Sequence, residues 1–178
     1  MTISSDVRRD VRRRADFSCE FCSVSETDVG GELTVDHFQP LSKGGDDGID
    51  NLIYCCPRCN QYKLDYWPAS PEEPPLWNPR TEPAAAHFIE LEDGTLHPLT
   101  GVGAFSIHRL RLNRPPLVAH RLRRSQSNEA ERLLTRYRNL IGTIEQLLDQ
   151  QTQLLEEQRR LLDEQRLLLQ LLLGSSQS

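Results

Sequence analysis

Lysine is nearly missing from this chain: only Lys43 and Lys63 occur, against nineteen arginines. Missing too is any apolar run that could span a bilayer, because Glu, Asp, Arg and Gln interrupt the Leu-rich C-terminal stretch. The N-terminus runs through Asp6, Arg8, Arg9, Asp10 and Arg12 where a secretory leader would be apolar, so a soluble, cytoplasmic protein with reduced cysteines is expected. Net positive charge is absent as well. A formal charge of −5 argues against a nucleic-acid binder when taken as a sum. The distribution argues differently. From Gly94 to Asn128 there is no Asp or Glu, and the stretch holds Arg109, Arg111, Arg114, Arg121, Arg123 and Arg124 with His108 and His120. Arg8, Arg9, Arg12, Arg13 and Arg14 form a second basic cluster. Either patch can neutralise phosphates, or stand as a solvated or internally paired surface.

The chain has 178 residues, room for one modest domain and an appendage, and a core this small usually needs extra support. Cysteine supplies a candidate. Cys19/Cys22 and Cys56/Cys59 are two Cys-x-x-Cys pairs, a spacing at which two thiolates from each of two tight turns reach one zinc ion. Two disulfides are the alternative, which a reducing compartment disfavours. Cys55 is a spare neighbour, and His87, His97, His108 and His120 match no metal spacing.

The pattern along the chain predicts an amphipathic helix over 5–15 packed over the zinc site, a strand within 33–38 and a flexible loop at 43–48. A short helix is expected from Asn60 to Tyr66, followed by a Pro-rich linker that pins Trp67 and Trp77 to the core. The strands 87–91 and 95–99 flank Asp93-Gly94, a hairpin signal, and helices are expected at 103–112 and 115–124. From Leu133 the paired positions Leu133-Leu134, Leu140-Ile141, Leu147-Leu148, Leu154-Leu155, Leu161-Leu162 and Leu168-Leu169 repeat every seven residues. Tyr137, Ile144, Gln151, Gln158, Gln165 and Leu172 complete the alternation, which is a coiled-coil seam with Gln layers. A helix over 128–173 would extend about 70 Å at about 1.5 Å per residue. Such a stripe predicts a homo-oligomer through residues 133–172, or docking of a partner protein's helix.

One segment carries chemistry. It reads Val35-Asp36-His37-Phe38-Gln39-Pro40-Leu41-Ser42-Lys43-Gly44-Gly45, then Asp50-Asn51-Leu52, then Cys56-Pro57-Arg58-Cys59-Asn60-Gln61-Tyr62-Lys63. This resembles the HNH endonuclease family, in its bacterial branch with four zinc cysteines. The resemblance implies a ββα-metal head of α+β class, structural Zn²⁺ on the four cysteines, and DNA as the partner. It also implies that Asn51 is the middle motif residue, orienting His37 through its loop backbone. The final motif position holds Asn60 where histidine is usual. A softer match extends over 76–121, through Asn78-Pro79-Arg80, His87-Phe88, Asp93-Gly94 and Leu112-Asn113-Arg114-Pro115.

The residue types explain themselves chemically. Cutting a phosphodiester needs a water nucleophile, a base for its proton, and positive charge beside the leaving oxygen. His37 serves as the base, and Asp36 and Asn60 offer hard oxygens to a catalytic Mg²⁺ or Mn²⁺. Neighbours on a strand face opposite sides, so a strand end or distortion is expected at Asp36-His37. Lys63, Arg109, Arg111, Arg114 and Arg121 are the candidate DNA contacts. The expected division is a nuclease module at 1–66, a linker, hairpin and Arg-rich helices at 67–124, a coiled-coil helix at 125–173 and a disordered tail at 174–178. A non-catalytic zinc-dependent DNA-binding module and a coiled-coil adaptor are the competing readings.

Overall fold

The computed structural model describes residues 3–175, with side chains to residue 170. It is of α+β class and divides into one unit up to Ser125 and another from Gln126.

The first unit opens with α1 (Ser5–Arg14), where the Ser4 hydroxyl accepts from Val7 N. Val11 is its fully buried anchor, and the helix packs against β1 (Thr34–His37) and β2 (Leu52–Cys55). Positive φ at Asp16 and Phe17 turns the chain into the first cysteine pair. A Ser18–Ser25 bridge closes that turn, and α2 (Glu26–Val29) follows behind a Ser25/Asp28 capping box. β1 and β2 are antiparallel, with Asp36 opposite Ile53 and His37 opposite Leu52. Every residue of β2 is buried, which is why it reads as a continuous apolar run.

Helix α3 (Pro57–Lys63) begins three residues before the expected start at Asn60. Cys56 is its N-cap, with Sγ accepting from Cys59 N, and Pro57 takes the first helical position. A helix start is thus built from the second cysteine pair. β3 (Phe88–Glu90) and β4 (Leu96–Pro98) form the hairpin, α4 spans Gly101–Arg109, and α5 spans Pro115–Ser175.

The boundary expected at 66/67 falls inside one unit. Leu76, Trp77, Phe88, Leu110, Leu112 and Leu117 share a core with Leu52, Ile53 and the cysteines. Trp77 lies edge-on to both Phe21 and Phe88, and Trp67 to Phe38, so both tryptophans are pinned as expected. A small head gains its core by folding its own downstream segment onto itself.

Helix α5 merges two expected elements, the 115–124 helix and the later leucine repeat, because no Pro or Gly interrupts residues 117–141. It continues through Ser175, past the expected tail boundary at 174; residues 176–178 lie outside the described residues. In the second unit the leucine repeat is exposed throughout, from Leu133 to Leu169. No helix among the described residues is long and apolar enough to cross a membrane.

Glu26 ties α1, α2 and β2 together. Arg12 Nε and Nη2 donate to its two oxygens at 2.6 Å each, and the Tyr54 hydroxyl donates to Oε1 while accepting from Leu33 N. The Arg12 guanidinium, with Tyr54, holds the Glu26 carboxyl at about 2 against an ordinary 4.5. Burial, then Glu26, pushes the Tyr54 phenol to about 12. A carboxyl depressed on folding stabilises fully above its unfolded value and loses that contribution as pH falls toward the folded one. Glu26→Gln is therefore expected to lower the melting temperature at pH 7 and to flatten its decline between pH 4.5 and 2. An unchanged acid limb in thermal melts would remove Glu26 from this role.

Candidate active site and metal centre

The Sγ atoms of Cys19, Cys22, Cys56 and Cys59 lie within 4.8 Å of one another, all buried and none in a disulfide. Cys22 and Cys56 sulfurs are 3.8 Å apart. Tetrahedral zinc with Zn–S bonds of about 2.3 Å sets its sulfurs about 3.8 Å apart, so the cluster fits that ion. Packed this closely the thiols share protons, with Cys56 lowered by its neighbours and Cys59 raised by them. A divalent cation removes that frustration, since it lets all four ionise. Cys55 stands apart: burial first pushes its thiol up, and its Sγ meets Thr34 Oγ1. It is the spare neighbour the spacing implied.

On the other flank of α3 an open cleft of about 720 Å³ is lined by Asp36, His37, Asn60, Lys63 and the Pro40–Ser42 turn. β1 ends at His37, the strand end required for Asp36 and His37 to face one site. The Asp36 carboxylate is held by Lys63, whose Nζ donates to Oδ2 at 3.0 Å and to Leu64 O at 3.2 Å. Lys63 is 1 % exposed, and its ammonium is occupied by that carboxylate.

Among the described residues Asn51 makes no hydrogen bond to the His37 side chain. Its side chain clamps the loop instead: Oδ1 accepts from Gln39 N, and Nδ2 donates to Gln39 O and Asp46 O. Its backbone carbonyl accepts from Phe38 N. The loop this holds brings Asp47 Oδ1 to 2.8 Å from His37 Nε2. Gly45 is obligatory there, because a Cβ would sit 2.0 Å from Gln39 O. Asp47 is the residue that sequence reasoning passed over, since it lies in a Gly-rich stretch that reads as flexible.

A family model for HNH endonucleases matches residues 19–65. Residues 19–65 are an HNH endonuclease domain. Its four cysteines are placed to bind a metal as in the zinc-binding branch. Neither curated proteins nor solved structures give a match.

The Arg-rich segment serves the HNH domain differently from expectation. Arg121 is 3 % exposed, its guanidinium donating to Gly94 O, Leu112 O and Asn113 Oδ1, so it holds the hairpin and not a phosphate. Arg114 Nη2 points at the Cys56 and Cys59 sulfurs, at 3.9 and 3.7 Å, and Nη1 at the Leu110 and Arg111 carbonyls. Arg109 donates to Lys63 O and lies over the Tyr66 ring. Arg111 alone of the four is exposed, over the Tyr62 ring. Three of four arginines thus donate to carbonyls or sulfurs.

Zinc analysis of the purified chain is expected to give one ion per protein. Cys59→Ser should lose it and lower the melting temperature, whereas Cys55→Ala should keep it. Arg114→Leu should accelerate zinc release to a chelator, because N–H···S bonds that moderate thiolate charge are removed. Equal release rates would show that Arg114 does not act on the cluster.

Proposed function

We propose that the protein is a metal-dependent endonuclease that hydrolyses DNA phosphodiester bonds at the Asp36–His37–Asn60 cleft. The observation that carries this reading is the convergence of those three residues on one open cleft within an HNH domain. With Asp47 Oδ1 at 2.8 Å as an acceptor for His37 Nε2–H, Nδ1 would be left as the base. His37 takes the proton of the attacking water, and Asp47 stabilises the imidazolium that forms. Lys63 orients Asp36 through Oδ2 and leaves Oδ1 for a cation. Asp36 and Asn60 would hold Mg²⁺ or Mn²⁺, which supplies charge stabilisation at the leaving oxygen. Asn51 positions the loop that delivers Asp47.

The leucine repeat adds self-association through residues 133–172. A parallel, in-register arrangement sets Gln151, Gln158 and Gln165 against their own copies and keeps every apolar layer matched. An antiparallel arrangement places amides against leucines or leaves the Leu133–Leu140 layers without partners, and an unpaired buried amide costs about 1–3 kcal/mol.

Supercoiled plasmid with Mg²⁺ or Mn²⁺ is expected to be nicked or linearised. His37→Ala should reduce the rate by about 10²–10⁴-fold, and Asp47→Ala should lower kcat with little change in KM. Undiminished cleavage by His37→Ala would sink the assignment. In sedimentation the full chain should be oligomeric, and Leu147→Lys with Leu154→Lys should yield monomers; a monomeric wild type would overturn self-association.

A further inference from the structure

Helix α3 has a second working flank. Asn60 and Gln61 line the catalytic cleft, while Arg58 and Tyr62 line a separate cavity of about 690 Å³ on the zinc side, and Pro57 borders both. Arg114, His120 and Arg123 supply the far wall, and Asp28 is its one acid. That carboxylate is already engaged: Oδ2 accepts from the Ser25 N–H and hydroxyl, and Oδ1 is 3.7 Å from His120 Nδ1. His120 Nε2 is buried without a partner. Arg114 is committed to the cysteine sulfurs; Arg58, whose Nη1 donates to Gln61 Oε1 at 3.0 Å, and Arg123 are exposed and, among the described residues, neither makes a salt bridge.

The rest of the wall carries one aromatic ring and two apolar side chains. Tyr62 is stacked by the Arg111 and Arg114 guanidiniums at 4.9 and 5.5 Å, and Pro116 and Leu117 face the same space. A bare anion needs no such wall, and an apolar ligand would not be met by exposed guanidiniums. Phosphate joined to a planar heterocycle satisfies both halves, and the volume lies within the range of ligand sites.

We propose that this cavity is a nucleotide subsite for the strand held in the cleft, with phosphate on Arg58 and Arg123 and an unpaired base against the wall that Pro116 and Leu117 form beside Tyr62. It rests on the nuclease reading of the cleft. The two cavities lie on either flank of α3, about 10 Å across with its side chains, so the subsite engages a nucleotide outside the cut bond. The cut strand therefore crosses α3 at Pro57, and the HNH domain grips unpaired or frayed DNA more tightly than an intact duplex.

Anisotropy of a labelled 12-nucleotide single strand on the full chain, without added divalent cation, tests this. Arg58→Gln with Arg123→Gln should weaken binding at least tenfold and reduce the salt slope by about 1.4, two contacts at about 0.7 each. Tyr62→Leu should weaken it at least about fivefold while leaving the slope unchanged. Zinc content and melting temperature equal to wild type establish that the variants are folded. Unchanged affinity and slope in the arginine variant overturn the subsite, and so does duplex binding as tight as single-strand binding. Free dAMP bound as tightly as the oligonucleotide would assign the cavity to a mononucleotide and overturn the strand reading. Binding that follows these expectations without any plasmid cleavage would leave the subsite standing and remove the nuclease reading, whereas no nucleic-acid binding at all would remove both.

Discussion

Four sulfurs confined within 4.8 Å of one another are the constraint on which the head depends. Such a cluster is not a hydrophobic core, since its members cannot all shed their protons in isolation and cannot all be satisfied while they keep them. A tetrahedral cation would resolve this and fix two turns at once. One turn precedes the β1–β2 pair, and the other is the N-terminus of α3. The orientation of α3 follows from its cap, and the positions of Asn60 and Lys63 follow from α3. Arg114 brings the downstream segment into the same arrangement through its hydrogen bonds to Cys56 and Cys59. The metal-binding cluster and the cleft therefore lie on opposite flanks of one short helix, and a fault in the first propagates to the second.

In the proposed hydrolysis the cleft supplies few groups, and each is held from behind. Asp36 has Lys63 behind it, His37 has Asp47, and Asp47 has the loop clamped by Asn51. Each supporting contact removes a rotational freedom that a productive encounter would otherwise have to freeze. Burying an ammonium as thoroughly as Lys63 is tolerable because its carboxylate partner and a backbone carbonyl lie within hydrogen-bonding distance.

Motif residues were legible in the sequence because their spacing is local. Cys19/Cys22, Cys56/Cys59 and Asp36-His37 each sit within one turn or strand end, and the apolar periodicity of 133–169 lies within one helix. Contacts that close over long separations left no linear signal. Arg121 looked like a phosphate ligand because it has no acid near it in sequence, yet its partners are backbone carbonyls, which sequence does not distinguish. Lys63 likewise had an acid 27 residues away, brought near only by the packing of α3 on β1. The early start of α3 went unseen because a cysteine acting as N-cap is outside the usual Ser, Thr, Asp and Asn set.

Surface loops ordinarily absorb insertions and deletions, and the stretch between His37 and Asn51 has the composition of such a loop. Its length is nevertheless fixed at both ends and in the middle. Gly45 passes against the Gln39 carbonyl, Asn51 grips Gln39 and Asp46, and Asp47 must arrive at one imidazole nitrogen. One residue more or fewer would carry the carboxylate past its target while leaving every motif letter in place. For this domain, counting residues between His37 and Asn51 is as informative about competence as reading which residues they are.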